Sequence, residues 1–119
     1  MAGKYLINCS QGKNNAEDAT VAFIAAAGAT AICEEVVVFL TSDAVRLAAH
    51  DYADDIQAEG YLPLAKFLGD FLSGNGKIWV CPACAKARGM ANEDLIEGAE
   101  IAGVAAIVDY LENGAKTIL

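Results

Sequence analysis

The sequence is poor in histidine, proline, tryptophan and basic residues. Its 119 residues include one His, two Pro and one Trp, and 8 basic residues stand against 16 acidic ones, which gives a formal net charge of −8. Nucleic-acid surfaces require clustered Lys and Arg, so we expect no nucleic-acid partner. Crossing a bilayer takes roughly 20 consecutive apolar residues, and because the chain has no such run, we expect no membrane span.

The start of the chain also lacks the pattern of a secretory signal peptide, in which a basic segment precedes an apolar segment and small residues. We therefore expect a cytoplasmic protein, whose thiols stay reduced. In that setting the four cysteines indicate reactivity or metal binding before structural disulfides. The length suits one domain, which is predicted to cover residues 1–119.

Short apolar segments alternate with helical patterns along the whole chain. The predicted strands cover 4–9, 36–40, 77–81 and 117–119, and the segment 100–103 is open between strand and loop. The predicted helices cover about 15–28, a stretch beginning near 44, 63–73, 82–88, 92–97 and 104–113. Strands that alternate with helices predict an α/β fold, here a three-layer α/β/α sandwich with a mostly parallel sheet of about five strands.

The first and last helices carry distinct apolar patterns. Asn14 is predicted to cap the first helix, with Glu17 as its partner three positions later. This helix is Ala-rich and apolar on nearly every side, so it is expected to be buried against more than one partner, a subunit interface being a natural second one. The last helix is recognised from apolar residues at helical intervals, namely Val104, Ile107, Val108 and Leu111.

Three polar or reactive residues lie at or just after the ends of predicted strands. They are Cys9, Asp43 and Cys81. In open parallel sheets, ligands bind outside the carboxyl ends of the strands, so these side chains are expected to line one pocket. Asp43 is also a natural helix cap, and Cys33 has the character of a small buried apolar residue.

Cys81 carries the strongest signal in the chain. Pro82 is predicted to be the first residue of a helix, which places Cys81 at the N-cap, where unpaired amides lower the pKa of a thiol. Cys84 follows one helical turn later, so its sulfur is within reach of Cys81. Arg88 is expected in the same pocket as Cys9 and Asp43, and Lys86 and Arg88 would add positive potential if they point inward. A salt bridge that holds the short helix is an equal alternative for Arg88.

Two general explanations of this Cys-x-x-Cys pair fit less well. A thioredoxin-type oxidoreductase has the same spacing, but its motif follows an early strand and faces a cis-proline, and the prolines here are Pro63 and Pro82. A structural zinc site needs four ligands, which Cys9 and Cys33 would have to complete from distant parts of the fold. We therefore expect neither a metal nor a cofactor.

The segment from Ile78 to Gly89 resembles the signature of the DsrE/DsrF-like family. In that family a strand ends in a cysteine, and an Arg-Gly pair follows seven and eight residues later, here Cys81, Arg88 and Gly89. The segment 36–45, the opening strand and Ala-rich helix, and the helix that begins at Leu62-Pro63-Leu64 resemble the family as well. The resemblance therefore covers nearly the whole chain.

The resemblance implies a sulfur carrier or sulfurtransferase-like protein. Members are similar to sulfur-relay proteins that hold sulfane sulfur as a persulfide on the residue that matches Cys81, exchange it with donor and acceptor proteins or small persulfides, and assemble as homotrimers or homohexamers. Cys84 departs from the simplest members, and some relatives with a Cys-x-x-Cys pair are labelled peroxiredoxins or sulfur-reduction proteins. A dithiol–disulfide oxidoreductase that uses Cys81 and Cys84, and a non-catalytic oligomeric binding module, remain as alternatives.

Overall fold

A five-stranded parallel sheet forms the centre of the molecule. The computed structural model describes residues 3–33 and 35–119, and within these residues the strand order is β4-β3-β2-β1-β5. The strands are β1 (Lys4–Cys9), β2 (Glu35–Leu40), β3 (Lys77–Val80), β4 (Ala99–Ile101) and β5 (Lys116–Thr117). Every pairing between these strands is parallel. This confirms the predicted α/β class and assigns the open segment 100–103 in part to a strand.

Helices connect the strands and pack around the sheet. The α-helices of the described residues are α1 (Ala16–Ile32), α2 (Leu64–Ser73), α3 (Pro82–Ala87) and α4 (Val104–Glu112). Short 3-10 helices cover Lys13–Asn15, Ser42–Ala48, Tyr52–Asp55 and Asn92–Asp94. In the part of the chain that the structure describes, no helix is both long enough and apolar enough to cross a membrane.

Two predicted helices are shorter or tighter than expected. The helix predicted from near 44 is a 3-10 helix of seven residues, Ser42–Ala48. The helix predicted for 92–97 ends at Asp94, because Leu95 bridges Ala49 and the amide of Ile96 donates to the carbonyl of Ala48 at 2.8 Å. These contacts pull the chain out of the helix and join it to the Ser42–Ala48 segment.

The start of α1 differs from the sequence prediction by one residue. Asn15, not Asn14, is the N-cap, and its side-chain oxygen accepts a hydrogen bond from the amide of Asp18 at 3.2 Å. The side-chain oxygen of Asn14 accepts instead from the amide of Gly12 at 2.7 Å and so closes the preceding loop. α1 also continues through Gly28 to Ile32, four residues beyond the predicted end.

The larger core lies between the sheet and helices α1 and α2. Phe23 of α1 and Phe71 of α2 are fully buried there and meet edge to face, with ring centroids 6.0 Å apart. Strand residues of the same face complete this core, namely Ile7, Val36, Val38, Leu40, Ile78 and Val80. α2 is therefore a second partner of α1 within the chain, which accounts for part of the apolar character of α1 without a subunit interface.

A smaller core covers the opposite face of the sheet. Its buried members are Leu6, Val37, Phe39, Tyr110 and Ala115, with Trp79, Cys81 and Ile107 packed against them. We call this cluster the α4-side core, because α4 supplies Tyr110 and Ile107. The other apolar residues that mark α4 point outward: Val104, Val108 and Leu111 are 69 %, 51 % and 36 % exposed.

Candidate functional site

Cys81 lies at the junction between β3 and α3. Its amide donates to the carbonyl of Leu40 at 3.0 Å, which continues the pairing of β3 with β2, and its carbonyl accepts from the amide of Ala85 at 3.0 Å, which begins α3. Pro82 occupies the first helical position, where its lack of an N–H costs no intrahelical hydrogen bond. Cys81 is therefore the N-cap of α3, as the sequence predicts.

Two opposing effects act on the pKa of the Cys81 thiol. Partial burial raises it, whereas hydrogen bonds from the amide and thiol of Cys84 and from the amide of Ala83 stabilise the thiolate. The balance leaves the pKa of Cys81 below its ordinary value. Because the thiolate is the nucleophilic form, the lowered pKa increases the fraction of Cys81 that is nucleophilic at a given pH.

Cys84 is held beside Cys81 by the packing of α3. Ala85 is fully buried in the larger core, while Cys84 is half-buried and packs against the edge of the same core. α3 ends at Ala87 with Arg88 as its C-cap, and Gly89 follows in a left-handed conformation with φ of 68°, which closes the helix. The two thiols therefore share one short helix, and both are accessible in part.

Arg88 and Asp43 form an ion pair next to the two cysteines. The Nε and Nη2 atoms of Arg88 donate to Oδ1 of Asp43 at 3.2 and 2.9 Å, and Nη1 donates to the carbonyl of Cys84 at 3.2 Å. The structure thus brings together two of the residues expected in the pocket. Asp43 lies in the first turn of the Ser42–Ala48 helix and directs its carboxylate to Arg88, so the prediction of a simple helix cap is wrong.

The chain leaves β3 and β4 toward opposite faces of the sheet. After β3 it enters α3, which packs on the α1–α2 side, whereas after β4 it enters α4 on the other side. The loop after β4 lies beside the thiol site: a Cβ on Gly103 would come within 3.6 Å of Cγ of Pro82. Ligands of open parallel sheets bind where neighbouring connections diverge in this way. Cys81 lies at that position.

Two aromatic residues, Trp79 and Tyr110, lie in the core behind Cys81 and carry no functional signal in the sequence. Trp79 precedes Cys81 by two positions on β3, so the two side chains share a face, and both pack against the α4-side core with Tyr110. The alternation of a strand predicts that Trp79 and Cys81 share a face, but nothing in the sequence indicates that Tyr110 covers them.

Cys9 lies at the same edge of the sheet but apart from the pair. It aligns with Leu40, which aligns with Val80, so β2 separates it from β3. Its side chain is 4 % exposed, and its thiol donates to the carbonyl of Gln11 at 3.5 Å. Burial raises the pKa of Cys9 to about 11, which keeps it a neutral thiol.

The four cysteines do not converge on one point. Cys9 precedes α1 and Cys33 follows it. α1 has 17 residues, so its two ends lie roughly 25 Å apart. Among residues 3–33 and 35–119, no group of three or more His, Cys, Asp or Glu side chains is placed to hold a metal ion. The zinc alternative therefore has no support in the described residues.

A shallow groove runs alongside α3. It has a volume of about 470 Å³, and its walls include Pro82, Lys86, Met90, Asn92 and Ile101. Pro82 directly follows Cys81, so one end of this groove adjoins the thiol site.

Fold and site together define a parallel α/β domain with a partly exposed cysteine of lowered pKa at the carboxyl end of an interior strand. The chain belongs to the DsrE/DsrF-like family, whose family model matches residues 3–119. Membership supports a role of the sulfur-relay type at the level of the family.

Two curated relatives align with most of this chain. Uncharacterized protein MJ0760 of Methanocaldococcus jannaschii is 34 % identical over 109 residues, which is 92 % of this chain but 39 % of that protein. Uncharacterized protein MK0008 of Methanopyrus kandleri is 33 % identical over 85 residues, 71 % of this chain and 67 % of that protein. The chain thus spans less than half the length of the first relative and two-thirds of the second.

Solved structures share the fold. The ychN protein from E. coli superposes with a TM-score of 0.76 at 22 % identity, covering 98 % of this chain and 99 % of that one. Protein MTH1491 from Methanobacterium thermoautotrophicum gives a TM-score of 0.73 at 18 % identity, with 98 % and 97 % coverage. At these identities the likeness establishes the fold alone.

Proposed function

We propose that the protein is a sulfur carrier that holds sulfane sulfur as a persulfide on Cys81. The observation that carries the proposal is the hydrogen-bonded Cys81 thiol, with its lowered pKa, at the carboxyl end of β3. Family membership supports the same role. Its partners would be donor and acceptor proteins or small persulfides, met in a reducing compartment such as the cytoplasm.

Sulfur transfer to Cys81 needs only a nucleophile and a leaving group. The Cys81 thiolate attacks the outer sulfur of a donor persulfide, so a bond forms between Sγ and that sulfur while the donor's sulfur–sulfur bond breaks. The donor leaves as a thiolate, and the sulfane sulfur keeps its oxidation state. The amides of Ala83 and Cys84, which hydrogen-bond the thiolate before attack, lie next to the persulfide that results.

Cys84 offers a way to release the sulfur. Its thiolate attacks Sγ of Cys81, a disulfide forms between the two cysteines, and the outer sulfur leaves as hydrosulfide. Two thiol sulfurs are oxidised, and the sulfane sulfur is reduced to sulfide, so the electrons balance. In the absence of this attack the persulfide is passed on to an acceptor thiol.

Intact-protein mass spectrometry tests the proposal. The reduced protein is exposed to a polysulfide and compared with Cys81→Ser, and with Cys33→Ser as a matched control that removes a half-buried thiol elsewhere. We expect one added sulfur atom, labile to reductant, in the native chain and in Cys33→Ser but not in Cys81→Ser. An unchanged mass of the native chain would reject a sulfur carrier.

A dithiol–disulfide oxidoreductase is the second candidate, favoured by the hydrogen bond from the Cys84 thiol to Cys81. Loss of two hydrogens without added sulfur would indicate this chemistry. Cys84→Ser separates the two functions, because a carrier still accepts sulfur on Cys81 whereas a dithiol enzyme cannot turn over. If Cys81→Ser retained every sulfur and redox activity, the protein would instead be a binding module.

We also propose that copies of the chain assemble as trimers or hexamers, as the family resemblance implies. The outer face of α4 supplies a surface for this contact, because Val104, Val108 and Leu111 lie one helical turn apart and are exposed. Exposed apolar stripes of this kind are typical of surfaces that a partner covers.

A further inference from the structure

The ion pair of Asp43 and Arg88 joins two segments that flank the thiol site. Asp43 belongs to the 3-10 helix after β2, and Arg88 is the C-cap of α3. The side chain of Arg88 is 23 % exposed and that of Asp43 44 %, so the pair is shielded from water on one side. One guanidinium therefore ties the carboxyl end of α3 to the neighbouring strand connection.

Arg88 also completes the hydrogen bonding of α3 itself. Its backbone amide donates to Ala85, so the carbonyl of Cys84 takes its hydrogen bond from the Arg88 side chain instead. α3 has six residues, and helices this short are marginal unless tertiary contacts hold them. Two tertiary contacts hold α3: the burial of Ala85 in the larger core and the ion pair of Arg88 with Asp43.

We propose that Asp43 and Arg88 act as positioning residues, forming a clamp that holds α3 so that the amides of Ala83 and Cys84 stay directed at Sγ of Cys81. Asp43 already occupies the guanidinium, which therefore stabilises the thiolate through the position of α3 rather than through its charge. The inference deepens the proposed function, but it concerns the reactivity of the free thiol and can fail separately.

The competing explanation is a direct effect of charge. The charged groups on the two packed segments are Asp43 and Arg46 on one side and Lys86 and Arg88 on the other, with Tyr110 as the titratable group of the α4-side core. If Arg88 acted through space, removing it would raise the pKa of Cys81, whereas neutralising Asp43 would lower that pKa. A clamp predicts the same direction for both changes, because either one releases α3.

The test is the pH profile of Cys81 alkylation by iodoacetamide, resolved at Cys81 by peptide mass spectrometry. Asp43→Asn, Arg88→Gln and the double variant are compared with the native chain. We expect both single variants to raise the pKa of Cys81 by about half a unit, a roughly threefold slower reaction near neutral pH, as suits weakened hydrogen bonds to a thiolate. The double variant should match the singles.

Shifts of opposite sign in the two single variants would overturn the clamp, as would unshifted profiles. Lys66→Gln is the matched control, because it breaks the exposed ion pair with Asp70 on α2, away from the site. If either main variant fails to fold, Arg88→Lys decides: it keeps the charge but loses the planar fork, so the clamp predicts a raised pKa and a charge effect predicts none. Since alkylation needs no sulfur donor, a failed persulfide experiment leaves this result standing.

Discussion

Trp79 and Tyr110 meet edge to face, with ring centroids 5.4 Å apart and ring planes at 70°. Trp79 lies on β3 two residues before Cys81, and Tyr110 contacts it from α4. Trp79 is the single tryptophan of the sequence. Its fluorescence therefore reports on the α4-side core and on the surroundings of Cys81.

Replacing Tyr110 should weaken the fold through lost packing. Tyr110 is 6 % exposed, so Tyr110→Ala should lower the free energy of unfolding by about 3 kcal/mol. Tyr110→Phe keeps the ring and loses only long hydrogen bonds to Tyr5 and Glu35, so it should cost about 1 kcal/mol or less. Urea unfolding followed by Trp79 fluorescence measures both, and equal losses would contradict the packing argument.

Removing the thiol of Cys84 should make Cys81 less acidic. In Cys84→Ala the backbone amide still hydrogen-bonds Cys81, but the thiol donor is gone, so the pKa of Cys81 should rise. The ultraviolet absorbance of the thiolate, followed against pH, should shift to higher pH. Cys33→Ala is the control and should leave this transition in place. A shift to lower pH would show that Cys84 does not stabilise the thiolate.

Assembly through α4 should be sensitive to a buried charge. Val108→Glu places a carboxylate in the middle of the outer face of α4, so light scattering coupled to size exclusion should give a lower mass than for the native chain. Val21→Glu alters a residue of α1 that is 38 % exposed and serves as the matched control. If Val21→Glu alone dissociates the assembly, α1 is the interface. A native chain that is monomeric would reject the assembly.

Stability should decline in alkali because two buried groups resist ionisation. The pKa of Cys9 is raised to about 11 and that of Tyr110 to about 12, in both cases mainly by burial. Since the unfolded chain releases these protons at lower pH than the folded chain, their stabilisation is complete below pH 9 and is lost as pH rises through 11 and 12.

Two variants test this alkaline transition. Cys9→Ala should remove the part that begins near the ordinary thiol pKa, and Tyr110→Phe the part at higher pH. Urea midpoints measured from pH 8 to pH 12 should therefore fall less steeply in each variant than in the native chain. A native midpoint that stays constant over this range would refute the argument.

Replacing Gly76 or Gly69 by alanine should change the stability of the fold in opposite directions. A Cβ at Gly76 would overlap the ring of Phe71, so Gly76→Ala should destabilise the fold by about 1–3 kcal/mol. Gly69 lies inside α2, and beyond its chain neighbours and the backbone of its own helix no heavy atom of the described residues lies within 4 Å of its Cβ position. Gly69→Ala should therefore stabilise the fold by about 1 kcal/mol. Thermal unfolding measures both, and shifts of the same sign would contradict this account.

Local patterns in the sequence account for most of the fold. The unbroken apolar segment of β2 indicates a strand covered on both faces, and all its residues from Val36 to Leu40 are buried. The amphipathic stripe of α2 buries Leu64, Leu68 and Phe71 as its spacing predicts. The sequence leaves the segment around the three-residue β4 open between strand and loop. Pairing with β3, and no pattern of its own, makes it a strand.

The outward face of α4 shows the limit of helical periodicity. The spacing of Val104, Ile107, Val108 and Leu111 predicts a helix, but Ala105 and Ala106 are apolar as well, so the pattern does not say which side meets the sheet. The packing of Tyr110 decides it, and Tyr110 is amphipathic.

The candidate site was predictable in its centre but not in its supports. Pro82 after an apolar strand identifies Cys81 as the start of a helix, and Cys84 follows from helical spacing. Asp43 and Arg88 were recognised as residues of interest, but their contact joins positions 45 residues apart and depends on how the Ser42–Ala48 helix packs on α3. Side-chain contacts of that kind follow from the assembled fold.

β5 lies beside β1, and α4, which leads to it, is the last helix of the chain. The two faces of the sheet are therefore covered at different times during synthesis. The residues that pack over Leu6, Val37 and Phe39 on the α4 side are Ile107, Tyr110 and Ala115, which leave the ribosome late. The opposite side has α1 and α2 in place much earlier. A chain that has been made only as far as β4 therefore has one face of the sheet covered by helices and the other face uncovered. Trp79 and one side of Cys81 lie on the uncovered face until α4 is added.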